Sequence, residues 1–164
     1  MKVALDTNVL AYAEGTNGVV MRDKALGLIE RLPLDAVVLP VQTLGELFKV
    51  LVRKAGRRPA QARTAILSWQ DAYPVVDTSV AVMANAADLA VRHGLAIWDS
   101  VVVSASAEAE CRLLLSEDLQ DGFTWRGVTV TNPFAPSPHP LLGGLLSPPG
   151  EREKPTRPRR RSRA

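Results

Sequence analysis

Four carboxylates in this 164-residue sequence stand beside or just beyond short apolar runs. Asp6 follows Val3-Ala4-Leu5, Glu46 comes after Ala36-Val37-Val38-Leu39, Asp99 follows Ala96-Ile97-Trp98, and Asp118 follows Leu113-Leu114-Leu115. Carboxylates brought together repel and raise one another's pKa. A hard divalent cation relieves that repulsion, and Mg²⁺ or Mn²⁺ suits carboxylate oxygens. The chemistry such a site performs is activation of water by the bound ion. Each acid also has a plain structural role open to it. Asp6 and Asp99 suit helix N-caps, Thr43-x-x-Glu46 suits a capping box, and Ser116-Glu117-Asp118 suits a turn. What favours the chemical reading is that all four fall at the same kind of position.

That position depends on the elements around them. Val3-Ala4-Leu5, Ala36 to Leu39, Pro74 to Val76, Leu113 to Leu115 and Val128 to Thr131 read as five short buried strands. Between them lie stretches with apolar residues at helical spacing, such as Leu44, Leu47, Phe48 and Leu51. Their ends carry the usual signals: Pro33 and Gly56 stop helices, Pro59 restarts one, Thr78 or Ser79 caps another, and Gly94 closes it. Alternation of strand and helix predicts an α/β fold with a parallel sheet. Ligands of such sheets bind beyond the carboxyl ends of the strands, where all four acids are expected.

Composition sets the frame. Hydrophobic residues make up 46% of the chain and aromatics 5%, which suits an aliphatic α/β core. The net charge of +3 is unevenly spread. Residues 151–164 hold seven basic and two acidic groups, a net +5, which leaves −2 for residues 1–150. The basic character therefore belongs to the tail, and overall charge is poor support for nucleic-acid binding by the domain itself. From Ala135 onward Pro, Gly, Ser and Arg dominate, so the expected domain is 1–134, with 135–164 a disordered basic tail. A lone cysteine, Cys111, reads as a small buried strand residue and fits a reducing compartment. Met1-Lys2 leads straight into the first strand, and no apolar run approaches membrane-spanning length, so a soluble cytoplasmic protein is expected. Trp69, Trp98 and Trp125 are expected to pack rather than stack on bases, since each sits beside apolar residues. Arg53, Lys54, Arg57 and Arg58 flank the Glu46 helix, where they suit either phosphate contacts or a solvated surface.

Asp6-Thr7-Asn8 after the first strand, Glu46 early in a helix, Asp99 opening a helix, and Ser116-Glu117-Asp118-Leu119-Gln120-Asp121-Gly122 after a strand resemble the PIN-domain ribonucleases. The ending Gly127-Val128-Thr129-Val130-Thr131-Asn132-Pro133-Phe134 is similar to the VapC-type toxins among them. The resemblance covers about residues 1–134. It implies a three-layer fold with a five-stranded parallel sheet in the order 3-2-1-4-5. It also implies a Mg²⁺- or Mn²⁺-dependent endoribonuclease, an RNA substrate, a cognate antitoxin and a homodimer. By motif, Asp6, Glu46, Asp99 and Asp118 are its acidic, metal-holding cluster, Asn8 and Ser116 are polar supports, and Asp121 is a further candidate. Two rival readings differ in class. A haloacid dehalogenase-like phosphatase would use Asp6 as nucleophile, but Asn8 stands where its general acid belongs, and no lysine lies between Lys54 and Lys154. A non-catalytic binding module of the same fold would have no need of all four acids.

Overall fold

The computed structural model describes residues 1–146. Six strands form one sheet: β1 (Lys2–Leu5), β2 (Val37–Pro40), β3 (Val75–Val76), β4 (Cys111–Leu115), β5 (Thr124–Trp125) and β6 (Val128–Thr131). Their order is β3-β2-β1-β4-β6-β5. All neighbours are parallel except β5, which runs antiparallel to β6. The expected order 3-2-1-4-5 holds, its fifth strand being β6. The expectation of five strands does not, because a two-residue edge strand precedes β6. Arg126 (φ 44°) and Gly127 (φ 86°) form the two-residue connection between them. Two successive positive φ values are what a tight type I′ hairpin needs. An arginine at the first of these positions hides the turn, where asparagine or aspartate would have signalled it.

Helices fill the crossovers: α1 (Thr7–Ala13), α2 (Gly18–Arg31), α3 (Val41–Arg53), α4 (Pro59–Ala72), α5 (Val80–His93) and α6 (Ile97–Glu108). Their ends follow the local chemistry. Ser79 Oγ accepts from the Val82 amide at 3.1 Å, and Gly94 in the left-handed region (φ 68°) closes α5. Pro59 occupies the first turn of α4.

Strand alternation sorts the core into two layers. Val3, Leu5, Val37, Leu39, Leu113 and Leu115 pack on one side with Leu10, Leu28, Leu44 and Leu47. Ala4, Val38, Leu114, Val128 and Val130 pack on the other with Leu89, Val102 and Val103. A fully buried leucine or valine contributes roughly 1.5–3 kcal/mol by leaving water, so this double-sided burial holds the central strands, and with them the rim, in place. Cys111 is buried in β4, as expected, and burial pushes its thiol up to about 11.

The tail expected from residue 135 is corrected in part. Pro140–Leu146 form α7, and its Leu142 and Leu145 join the first core layer. The packed domain thus extends past Phe134, and the rest of that tail, residues 147–164, lies outside the described residues. Among the described residues no helix is long and apolar enough to cross a membrane.

Candidate active site

The order of the strands reverses at β1, which has β2 on one side and β4 on the other. Crevices at the carboxyl ends of such strands are where α/β sheets bind ligands. Asp6 lies at the end of β1, and its amide donates to the Leu115 carbonyl at the end of β4. The chain turns there because Asp6 is extended (φ −82°, ψ 164°) and caps α1. Its Oδ1 accepts from the Thr7 amide at 2.7 Å. Its Oδ2 accepts from Ser116 Oγ at 2.7 Å and Asn8 Nδ2 at 3.1 Å. Capping and chemistry are therefore compatible at this residue. Asp6 is only 8% exposed. Burial pushes its carboxyl up to about 6, against the opposing pull of the Ser116 and Thr7 donors, and the charges of Glu46 and Asp99 push it the same way.

Asn8 ties this side together. Its Nδ2 also approaches Ser116 Oγ at 3.2 Å and Asp118 Oδ2 at 3.3 Å, while its Oδ1 accepts from the Glu117 amide at 3.2 Å. Ser116 Oγ in turn accepts from the Leu119 amide at 3.2 Å. The loop after β4 is thus bonded to the start of α1, and that places Asp118. One turn beyond Asn8, Tyr12 donates its hydroxyl to Glu117. Burial, then that bond, pushes the Tyr12 hydroxyl up to about 12.

Two expected local roles are corrected. Glu46 lies in the second turn of α3, which begins at Val41, and Thr43 donates to the Pro40 carbonyl at 2.7 Å rather than forming a capping box. Instead, Glu46 Oε2 accepts from Thr7 Oγ1 and Oε1 from Gln42 Nε2, both at 2.9 Å. Asp99 is the third residue of α6, whose N-cap is Ala96, so it does not cap. Among the described residues no donor reaches its half-buried carboxylate. Burial raises its pKa, and the charges of Glu46 and Asp118 raise it further.

Asp6 and Asp99 thus each feel Glu46, Asp6 feels Asp99, Asp99 feels Asp118, and Asn8 links Asp118 to Asp6. Among the described residues the ion pairs are Arg22–Asp23 and Arg57–Glu14, so no basic side chain neutralises any of the four. Nor, among the described residues, do three acids stand close enough to form a ready-made ion cage. An all-oxygen donor set with unrelieved charge fits Mg²⁺ or Mn²⁺ by its chemistry. Mg²⁺ in particular keeps several waters and takes one or two carboxylates plus substrate phosphates, rather than a complete protein cage.

The remaining candidates separate. Asp121 accepts from the Asn132 amide at 2.8 Å and is not among the charges that perturb Asp6 or Asp99. Arg57 is committed to Glu14, donating to its carboxylate and its carbonyl at 2.6 Å each, whereas Arg53, Lys54 and Arg58 are exposed. Trp69 packs, stacked on Tyr73 with Nε1 donating to Glu14, and Trp125 is half-buried under Arg126. Trp98 does not pack as expected: it is 51% exposed, next to Asp99. Thr7 and Gln42 were not singled out by the sequence reading. Gln42 had a signal, since it precedes Glu46 by four residues on one helix face; Thr7 had only its place between two polar neighbours.

Known structures share this architecture. The toxin VapC20 of Mycobacterium tuberculosis, described as cleaving the Sarcin-Ricin loop, superposes with a TM-score of 0.61 at 21% identity, over 71% of this chain and 90% of that one. A toxin–antitoxin complex from Klebsiella pneumoniae gives 0.62 at 16% identity, over 81% and 98%. VapBC2 from Rickettsia felis, bound to a promoter DNA fragment, gives 0.57 at 15%, over 80% and 98%. At such identities the likeness establishes the fold. No curated protein matches the chain by sequence. The PIN domain family model matches residues 3–121, most of the chain. With that match and the α/β sheet that gathers its acids at one rim, the chain belongs to the PIN domain family.

Proposed function

We propose that this protein is a divalent-metal-dependent endoribonuclease, the toxin of a toxin–antitoxin pair. The observation that carries the reading is the uncompensated charge at the rim: Asp6 and Asp99, 93 residues apart in sequence, both feel Glu46, with no cation among them. Folding that leaves carboxylates crowded costs stability, and it is retained where the charge has a use. Solved toxins and toxin–antitoxin complexes of the same fold support the toxin assignment.

Asp6, Glu46, Asp99 and Asp118 would hold Mg²⁺ or Mn²⁺, which when bound makes a coordinated water more acidic and offsets charge on a phosphate. The chain's own side chains do the rest. Asn8 and Ser116 fix Asp6 and the Asp118 loop in one orientation. Asp99, which no donor among the described residues holds, would adjust to what enters the cleft. Arg53, Lys54 and Arg58, exposed at the far end of α3 and in the loop beyond it, offer contacts to flanking phosphates. Glu46 precedes Arg53 by seven residues, about 10 Å along the helix axis. Partners of this reading are an RNA substrate, a cognate antitoxin and a second copy of the chain in a homodimer. The compartment this reading calls for is the cytoplasm, where its RNA substrate is found. The test is incubation of the full chain with structured and unstructured RNA in Mg²⁺, Mn²⁺ or EDTA, with cut sites mapped. Discrete cuts that EDTA removes are expected; intact RNA under every condition would refute the reading.

A further inference from the structure

We propose that Thr7 is a positioning residue that sets the gap between Asp6 and Glu46. This rests on the ribonuclease reading and adds a residue to it. Thr7 carries two donors, and each addresses a different carboxylate. Its amide donates to Asp6 Oδ1 at 2.7 Å and its hydroxyl to Glu46 Oε2 at 2.9 Å. The amide is available because Thr7 is the first residue of α1, where N–H groups have no partner within the helix. The hydroxyl reaches across to α3, joining two helices that enter from different strands.

Two negative groups in a partly buried cleft would otherwise move apart. A lysine or arginine strut would hold them, but it would also neutralise the charge the site needs for a cation. Thr7 and Gln42 are neutral donors, so they orient Glu46 through both oxygens and leave its charge available. Threonine is also stiff at χ1, so its hydroxyl holds a direction better than a serine's. Without that hydroxyl, Glu46 keeps among the described residues only the Gln42 hydrogen bond, from its own helix, and no hydrogen-bonded link to Asp6 remains.

The experiment uses the full chain with Thr7→Val, which keeps shape and loses the hydroxyl, and Thr7→Ser, which restores it. Mn²⁺ alone is titrated by calorimetry, and RNA cleavage is resolved into kcat and KM. Loss of a group that orients a metal ligand typically weakens affinity about 10–100-fold. That weakening is expected in Thr7→Val, with kcat lowered and KM for RNA little changed, and Thr7→Ser should recover most of both. If Thr7→Val fails to fold, Thr7→Ala, which removes the same hydroxyl with less bulk, takes its place with the same expectation. Wild-type Mn²⁺ affinity and kcat in the variant that folds would overturn the strut, as would equal impairment of Thr7→Ser and Thr7→Val. Wild-type protein that neither binds Mn²⁺ nor cuts RNA would overturn the ribonuclease reading first, and the strut with it.

Discussion

Asp6 and Asp99 feel the charge of the same Glu46, yet the protein treats them differently. Asp6 is buried, with three donors on its two oxygens. Asp99 is half-buried, and among the described residues no donor reaches its carboxylate. The first sits where β1 meets α1 at the centre of the sheet, and the second on the first turn of α6. Preorganised ligands give geometry at the cost of burying charge, while loosely held ones accommodate substrate. The difference suggests one anchored side and one adaptable side of a single cleft, and substitutions on the two sides should behave differently.

The largest effect is expected at the open side. Asp99→Asn removes a charge that no donor among the described residues holds, so cleavage should fall on the order of 10²–10³-fold, comparable to losing one electrostatic stabiliser of a transition state. Stability should not fall, because the charge removed is one that burial and its like-charged neighbours disfavour. Cleavage rates and denaturant melts on the same preparations check both; a variant that unfolds would break the contrast.

At the anchored side stability should depend on pH. Folding raises the Asp6 pKa from 3.8 to about 6, so between these values the folded state holds a proton that the unfolded state has released. Stability from this group is complete below about pH 4 and is lost as pH rises through about 6. The loss is about 3 kcal/mol, taking 1.36 kcal/mol per pKa unit. Asp6→Asn should remove that slope and also lower cleavage, by no more than Asp99→Asn does. Denaturant melts of both proteins from pH 4 to 8 check this, and parallel pH curves would contradict it.

A smaller loss is expected from Asn8→Ala, which strands the Glu117 amide and removes one donor to Asp6. The cost should be about 1–3 kcal/mol of stability, as for leaving a buried polar partner unsatisfied. Its Mn²⁺ affinity should fall less than that of Asp6→Asn, since the carboxylates remain. Calorimetry of the two variants side by side sharpens the division between holding an acid and being one.

The central strands and the gathering of acids were legible because both follow from period-two burial and from where parallel strands end. What escaped depended on single residues. Arg126 adopts the positive φ that the β5–β6 turn needs, against its type's preference. Leu142 and Leu145 sit three apart on a helical face, but the Pro-, Gly- and Ser-rich stretch around them masked it. Glu46 was expected to close a capping box with Thr43, but the Thr43 hydroxyl turns back to the Pro40 carbonyl, which nothing in the local pattern marks. Thr7 gave no sign of its second partner, since a hydroxyl bond across 39 positions leaves no local pattern.

The central claim is that crowded carboxylates hold an ion that activates water against RNA. End-group analysis of RNA cut by the full chain in Mn²⁺ tests it most directly. Attack by water on phosphorus with departure of the 3′ oxygen leaves 5′-phosphate and 3′-hydroxyl ends, and these are expected, vanishing in EDTA and falling on the order of 10²–10³-fold in Asp99→Asn. A 2′,3′-cyclic phosphate, or cleavage undiminished by EDTA, would contradict it.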